Sequence, residues 1–346
     1  MQALAIKYRP KTFDDVTEQG MIKAILREQL DSNSIQHCYL FCGGAGTGKT
    51  TCARIFANEI NKGQGNPIEL DAASNNSVDD MRELIQQAQT KSLSSEYKVF
   101  IVDECHMITL QGWNAILKLI EEPPAKSIFI FCTTDPQKIP KTILSRVQRF
   151  DFQRISQQGI VMRLTEILAK EEIPQLDGGL EAVEYIAKIA DGGMRDAITL
   201  LDKCLAYTSE LTLESVVKIL GTVNYMTMME LFDAIFAYDN DRHIIDIVER
   251  IHSDGKDVKQ FIRQFAHFIL DVQKYAIGCD WKYISVPRLS EYEQWFEDVT
   301  HRIPEQMSLK LLDTVLKLSS DIKYSATAKL DIEARLLLFA EEERHE

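Results

Sequence analysis

The sequence predicts an α/β domain on a parallel sheet, followed by two helical domains. Three observations carry that expectation. Short apolar runs alternate with helical patterns over residues 1–155, and a glycine-rich stretch joins the first run to a helix. Beyond about residue 155 the strand signals fade while helical periodicity continues. The expected domains are residues 1–155, 156–220 and 221–346.

In order, the apolar runs are residues 38–42, 68–70, 99–103, 128–132 and 147–152. Runs of this length separated by helices read as βαβ units. The helix between the third and fourth runs is well marked. Thr109 can cap it, Trp113, Ile116, Leu117 and Ile120 repeat at helical spacing, and Pro123 and Pro124 stop it. Residues 156–220 read as three or four short helices broken at Gly178-Gly179 and Gly192-Gly193, and residues 221–346 as mainly helical.

Composition excludes several classes. The 346 residues are 45% hydrophobic and 26% charged, with 16 Gly and 9 Pro, which rules out disorder, collagen and a small disulfide scaffold. No apolar run approaches the ~20 residues of a membrane span, and residues 1–13 lack the long apolar stretch of a secretory signal. No membrane partner and a cytoplasmic setting are therefore expected. The seven cysteines form no CxxC pair, so buried free thiols are expected rather than disulfides or zinc. Net charge is −13, yet residues 1–155 hold 18 basic and 18 acidic side chains. The 21 basic and 34 acidic residues beyond them carry the whole imbalance. A neutral first domain can present a local basic face; an acidic remainder argues against sequence-blind coating of DNA.

Gly43, Gly44, Ala45, Gly46, Thr47, Gly48, Lys49 and Thr50 form a complete G-x-x-x-x-G-K-T. It follows an apolar strand and opens a helix at Thr51, the context of a P-loop that binds ATP. Its backbone N–H groups and helix N-terminus face phosphates, Lys49 supplies charge, and Thr50 can ligate Mg²⁺. At residues 99–104 an apolar strand ends in Asp103 and Glu104. That places two carboxylates at the sheet's carboxyl edge, Asp103 for Mg²⁺ and Glu104 for the attacking water. The strand at 128–132 leads into Thr134, which either meets the γ-phosphate or caps a turn. Arg146 and Arg195 read by composition as surface arginines. Ser74, Asn75, Asn76 and Ser77 precede a helix at residues 78–90, and read equally as a DNA-phosphate contact or as a plain helix cap.

These stretches carry a resemblance. The chain resembles the gamma/tau family, the ATPases of the bacterial DNA polymerase III sliding-clamp loader, within the AAA+ class. The match lies in residues 7–16 (KYRPKTFDDV), 37–41, the P-loop, 69–75 (ELDAASN), 102–107 (VDECHM), 115–124 (AILKLIEEPP), 133–140 and 143–146 (ILSR). The resemblance implies Tyr8, Arg9, Pro10 and Val16 around the adenine, Thr134 as a sensor, and Arg146 as a finger toward a neighbour's ATP. It further implies Arg195 reaching from a helical lid to its own γ-phosphate, and a C-terminal collar that joins subunits into a ring. The ring would be pentameric, with the other loader subunits, the sliding clamp and primer-template DNA as partners.

The chain departs from the family at three points. The four-cysteine zinc module is replaced by residues 61–67 (NKGQGNP), so no zinc is expected. Val147 follows Arg146 where the family has Cys, and no long tail follows the collar. Such a chain fits a divergent or phage-encoded member. The function expected is an ATP-hydrolysing loader subunit within a polymerase holoenzyme. The alternatives are a branch-migration or remodelling AAA+ ATPase and a non-catalytic ring subunit.

Overall fold

The computed structural model describes residues 2–90, 92, 95–173, 178–208, 210–220, 225–237 and 241–345. Strands β1 (Cys38–Cys42), β2 (Ile68–Asp71), β3 (Lys98–Asp103), β4 (Ser127–Thr133) and β5 (Gln148–Asp151) form one sheet in the order β2-β3-β4-β1-β5. Every pairing is parallel, and the register sets Asp71 beside Asp103, and Cys42 beside both Thr133 and Asp151. All five carboxyl ends therefore open on one edge.

Parallel strands covered on both faces need apolar side chains at every position, which is why β1, β3 and β4 are continuous apolar runs, whereas the edge strands β2 and β5 leave Glu69, Asp71, Arg149 and Asp151 exposed. On one face Tyr39, Phe41, Ile101 and Ile130 pack with Leu26 and Phe56. These come from helices α2 (Gly20–Asp31) and α3 (Lys49–Ile60), which follow the short N-terminal α1 (Leu4–Lys7). On the other face Leu40, Phe100, Phe129 and Phe131 pack with Met81, Leu84, Trp113 and Ile116. Those belong to α4 (Val78–Gln89) and α5 (Leu110–Glu121). Thr109 Oγ1 accepts from Gly112 N at 3.1 Å, so α5 starts at the expected cap.

The turn from α3 into β2 is pinned at Asn61. Its side-chain amide donates to the Tyr97 carbonyl at 3.0 Å, and its oxygen accepts from Tyr97 N at 2.9 Å. After α6 (Lys141–Leu144) and β5, three helices pack on one another: α7 (Gln157–Lys170), α8 (Gly179–Ile189) and α9 (Met194–Tyr207). Ser156 caps α7 through Gly159 N at 3.0 Å, and Glu18 in turn accepts from Ser156 N at 3.1 Å. Leu4 N donates to Asp202 Oδ2 at 3.1 Å, tying α1 to α9.

The chain divides into two compact units, residues 1–211 and 212–346. The expected boundary at residue 221 lies outside the described residues. The second unit holds α10 (Leu213–Leu220), α11 (Tyr225–Phe236), α12 (Asp241–Ser253), α13 (Val258–Ala276), α14 (Ser290–Arg302), α15 (Glu305–Asp321) and α16 (Ala328–His345). Its core is aromatic: Phe232, Phe265, Phe268 and Phe296 are fully buried, and Trp295 packs edge-on to Phe232 at 5.6 Å. Six of the seven cysteines are buried and Cys279 is half-buried; all are free thiols. No helix of the described residues is long and apolar enough to cross a membrane.

Candidate nucleotide site

The loop between β1 and α3 turns sharply because glycine lets it. Gly43, with φ +153, lies against Phe152, so that a Cβ there would stand 2.6 Å from the Phe152 carbonyl oxygen and 2.9 Å from its Cβ. Gly46, with φ +68, lies against Gly193, and its carbonyl accepts from Met194 N at 3.0 Å. The loop thus touches the start of α9 backbone to backbone. Thr47 is buried and closes the loop on itself, its Oγ1 donating to the Gly44 carbonyl at 2.9 Å. Gly43→Ala is expected to displace the loop, costing about 1–3 kcal/mol of stability by overpacking and roughly tenfold or more in nucleotide affinity. Thermal melting and titration with a fluorescent ATP analogue measure both; unchanged affinity would count against the loop as a phosphate site.

Lys49 opens α3 and is only 6% exposed. Its Nζ donates to the carbonyls of Gly43 at 2.9 Å and Gly44 at 2.8 Å. Burial holds its pKa below the usual lysine value, opposed by the charges of neighbouring groups that include Glu104 and Asp103. Thr50 Oγ1 donates to Asp103 Oδ2 at 2.8 Å, bringing a hydroxyl and a carboxylate together at the end of β3.

Glu104 follows with φ +47, the left-handed region, where a non-glycine residue is strained. Its N–H donates to Asp103 Oδ1 at 3.0 Å, and its Oε2 accepts from Thr134 Oγ1 at 3.0 Å. His106 Nδ1 lies 3.3 Å from the same Glu104 oxygen and 3.2 Å from Thr133 Oγ1. β3 and β4 are neighbours, so Thr134 and Glu104 meet at adjacent strand ends.

A cavity of about 480 Å³ gathers Lys49, Thr50, Asp103 and Glu104. Tyr8, Arg9, Pro10 and Val16 line one side, residues 45–51 the floor, Asp103 and Glu104 another wall, and Arg195 the α9 side. Tyr8 is anchored by its hydroxyl, which donates to Glu171, while Arg163 Nη2 donates to the Tyr8 carbonyl at 3.2 Å. Sequence reasoning missed Thr17, Arg54, Ile155, Arg163, Asp196 and Ile198, which also line the cavity. Met194 and Asp196 flank Arg195 and could have been included with it; Arg163 carries no local signal.

Gly43, Gly44 and Thr134 do not line the cavity, Thr134 being one hydrogen bond from it through Glu104, and two further expected groups lie elsewhere. Arg146 does not line the cavity; it bonds Glu121 at the end of α5, Nε to Oε1 at 2.8 Å. The stretch 74–77 forms the entry to α4. Ser77 and Asp80 make a reciprocal capping box, in which Asp80 N donates to Ser77 Oγ at 3.2 Å and Ser77 N donates to Asp80 Oδ2 at 2.9 Å. The Ser77 hydroxyl, donating to Asp80 Oδ2 at 2.6 Å, and then the Ser77 N–H hold the Asp80 carboxyl below its ordinary pKa. Asn75 Nδ2 donates to the Asp71 carbonyl at 3.0 Å, Ser74 Oγ contacts Asp71 Oδ2 at 3.5 Å, and the Asn76 carbonyl accepts from Thr109 N at 3.2 Å. The entries to α4 and α5 therefore stand side by side.

A parallel sheet whose glycine loop and acidic strand end face a helical cap is the P-loop ATPase fold. The RuvB Holliday junction branch migration motor of Thermotoga maritima shares it, with a TM-score of 0.52 and 17% identity over 72% of this chain and 86% of that one. Three family models match in succession: DNA polymerase III delta subunit at residues 66–156, the clamp-loader subunit ATPase lid domain at 159–210, and domain III of DNA polymerase III subunits gamma and tau at 211–342. The chain is 34% identical to DNA polymerase III subunit tau of Bacillus subtilis (strain 168), over 97% of this chain and 62% of that protein. It is 37% identical to the tau/gamma subunit of Haemophilus influenzae over 80% of this chain and 41% of that one. The chain belongs to the gamma/tau family of DNA polymerase III subunits. It spans roughly two fifths to three fifths of the length of these relatives.

Proposed function

We propose that this chain is an ATP-hydrolysing subunit of a sliding-clamp loader. The observation that carries the reading is the convergence, in one cavity, of Lys49, Thr50, Asp103 and Glu104 with Arg195 from the helical cap. Tyr8, Arg9, Pro10 and Val16 surround the base, and the loop at 43–51 wraps the phosphates with its N–H groups. Thr50 and Asp103 are hard oxygen donors already 2.8 Å apart, a pair that would hold Mg²⁺. Bound there, Mg²⁺ neutralises charge on the phosphates. Glu104 orients and deprotonates the attacking water, with Thr134 holding its carboxylate; Arg195 contacts the terminal phosphate.

Residues 156–220 serve in this reading as the lid, and residues 221–346 as the collar of a ring, pentameric and shared with other loader subunits. ATP binding tightens the ring around an opened clamp and primer-template DNA, and hydrolysis releases both. The paired entries to α4 and α5, including residues 74–77, are the proposed phosphate contact. The setting is the bacterial cytoplasm. Zinc has no part in the proposal, because residues 61–67 offer no Cys or His. Elemental analysis of untagged protein is expected to find no stoichiometric zinc, and about one zinc per chain would overturn that expectation.

Arg146 provides the test of ring action. As a finger reaching a neighbour's γ-phosphate, its loss should lower DNA-stimulated turnover more than tenfold while the chain still binds ATP. Arg146→Ala has an intact P-loop and no finger; Lys49→Ala has the reverse defect. Rings containing both variants should regain part of the turnover at interfaces where an intact P-loop meets an intact arginine. Mixed rings that form yet stay as inactive as either variant alone would refute action across the interface.

A further inference from the structure

Arg146 is held on three sides within its own chain. Nε donates to Glu121 Oε1 at 2.8 Å, and Nη1 donates to the Thr142 carbonyl at 2.7 Å and to Ser145 Oγ at 3.0 Å. Nη2 takes part in none of these bonds. A guanidinium is a rigid planar fork, so fixing two of its nitrogens sets the direction in which the third donates.

Glu121 is the last residue of α5. A carboxylate at a helix C-terminus is electrostatically misplaced, because that end already carries partial negative charge. The pair is open to solvent, with side chains 38% and 41% exposed, and such pairs add little to folding stability. Neither helix formation nor stability accounts for a glutamate here. Its position does account for the pose of Arg146, and Pro123 and Pro124, one residue further on, stiffen the chain leaving α5.

We propose that Glu121 is a positioning residue: it holds Nε so that Arg146 presents its Nη2 edge, ready-oriented, to an anionic group on another chain. The anion is the terminal phosphate of a neighbour's nucleotide. This rests on the reading of Arg146 as a finger given in trans. A flexible arginine would have to be ordered at every encounter; one already engaged on Nε and Nη1 is ordered beforehand.

The experiment measures steady-state ATP turnover of the assembled, DNA-stimulated ring for Glu121→Ala, Glu121→Gln and Arg146→Ala in parallel. Glu121→Ala should lower kcat about three- to tenfold, the scale of one exposed charge-assisted contact, with KM for ATP unchanged within about twofold. Glu121→Gln keeps an acceptor for Nε and should fall between Ala and the unaltered chain. Because the defect lies in a donated group, mixing Glu121→Ala with Lys49→Ala should restore turnover in part, as is expected for Arg146→Ala. Unchanged or faster turnover in both Glu121 variants, beside a large loss in Arg146→Ala, overturns the positioning role and leaves the finger intact. A loss in Glu121→Ala that mixing does not restore places the defect in its own site and also overturns it. No loss in Arg146→Ala itself refutes the finger, and this inference with it. Should Glu121→Ala fail to assemble, the Gln variant decides by the same criteria.

Discussion

Lys49→Ala is expected to reduce ATP turnover at least a hundredfold, to background, and to weaken nucleotide binding. The size of the effect follows from where the ammonium sits. Lys49 is nearly enclosed, held by two carbonyls of the loop that it closes, and drawn toward neutrality by burial. A buried, preoriented cation facing the charge that develops on a transferring phosphoryl group contributes far more than one in water; losing a single such donor typically costs 10²–10³ in rate. The change also leaves the Gly43 and Gly44 carbonyls without this partner, so thermal melting must accompany the assay. A variant that melts normally yet turns over ATP within a few-fold of the unaltered protein would remove Lys49 from the chemistry.

Glu104→Gln should separate binding from turnover. The amide keeps an oxygen that can accept from Thr134 Oγ1, as Glu104 Oε2 does at 3.0 Å, so the local bonding survives. What disappears is the proposed base. General-base assistance is worth about 10²–10⁴ in rate, and turnover should fall by that order while ATP affinity stays within a few-fold. The variant would then be a binding-competent, stalled subunit. Loss of ATP binding would instead mean that Glu104, strained at φ +47, braces the strand end.

The elements that could be read in advance were those whose cause is local. α5 carried a cap, a helical repeat and a proline stop, and it spans Leu110–Glu121 with Thr109 capping. β1, β3 and β4 appeared as apolar runs because burial on both faces is written into consecutive residues, a signal that the half-exposed edge strands β2 and β5 carry only in part. Strand order was not legible, since nothing in 38–42 or 128–132 says that β1 lies between β4 and β5. The same limit applies to the site. The loop at 43–50 and the pair Asp103 and Glu104 are each contiguous in sequence, and the cavity gathers residues 45–50 with both carboxylates. Tyr8, by contrast, is anchored through Glu171, 163 positions away, and that partnership exists only after folding. Residues 74–77 show the converse case. A Ser with an Asp three positions on is a capping pair in any context, and the structure uses it as one.

The pinning of Asn61 to both backbone groups of Tyr97 bears on how such a chain tolerates change in length. α3 is secured at its exit by that clasp, and β2 at its entry by the ladder to β3. The six residues from 62 to 67 bridge two points, Asn61 and the start of β2, that are held by other bonds. The entropy of closing a loop between fixed ends grows only with the logarithm of its length, about 0.6 kcal/mol per doubling. A whole metal-bearing module can therefore be spliced in at this turn, or excised from it, while the phosphate loop and the strand ends opposite keep their geometry. In that sense a zinc-bearing insert of the kind the resemblance implies would be detachable ornament on the sheet's margin, and a chain could lose it without rebuilding the phosphate loop.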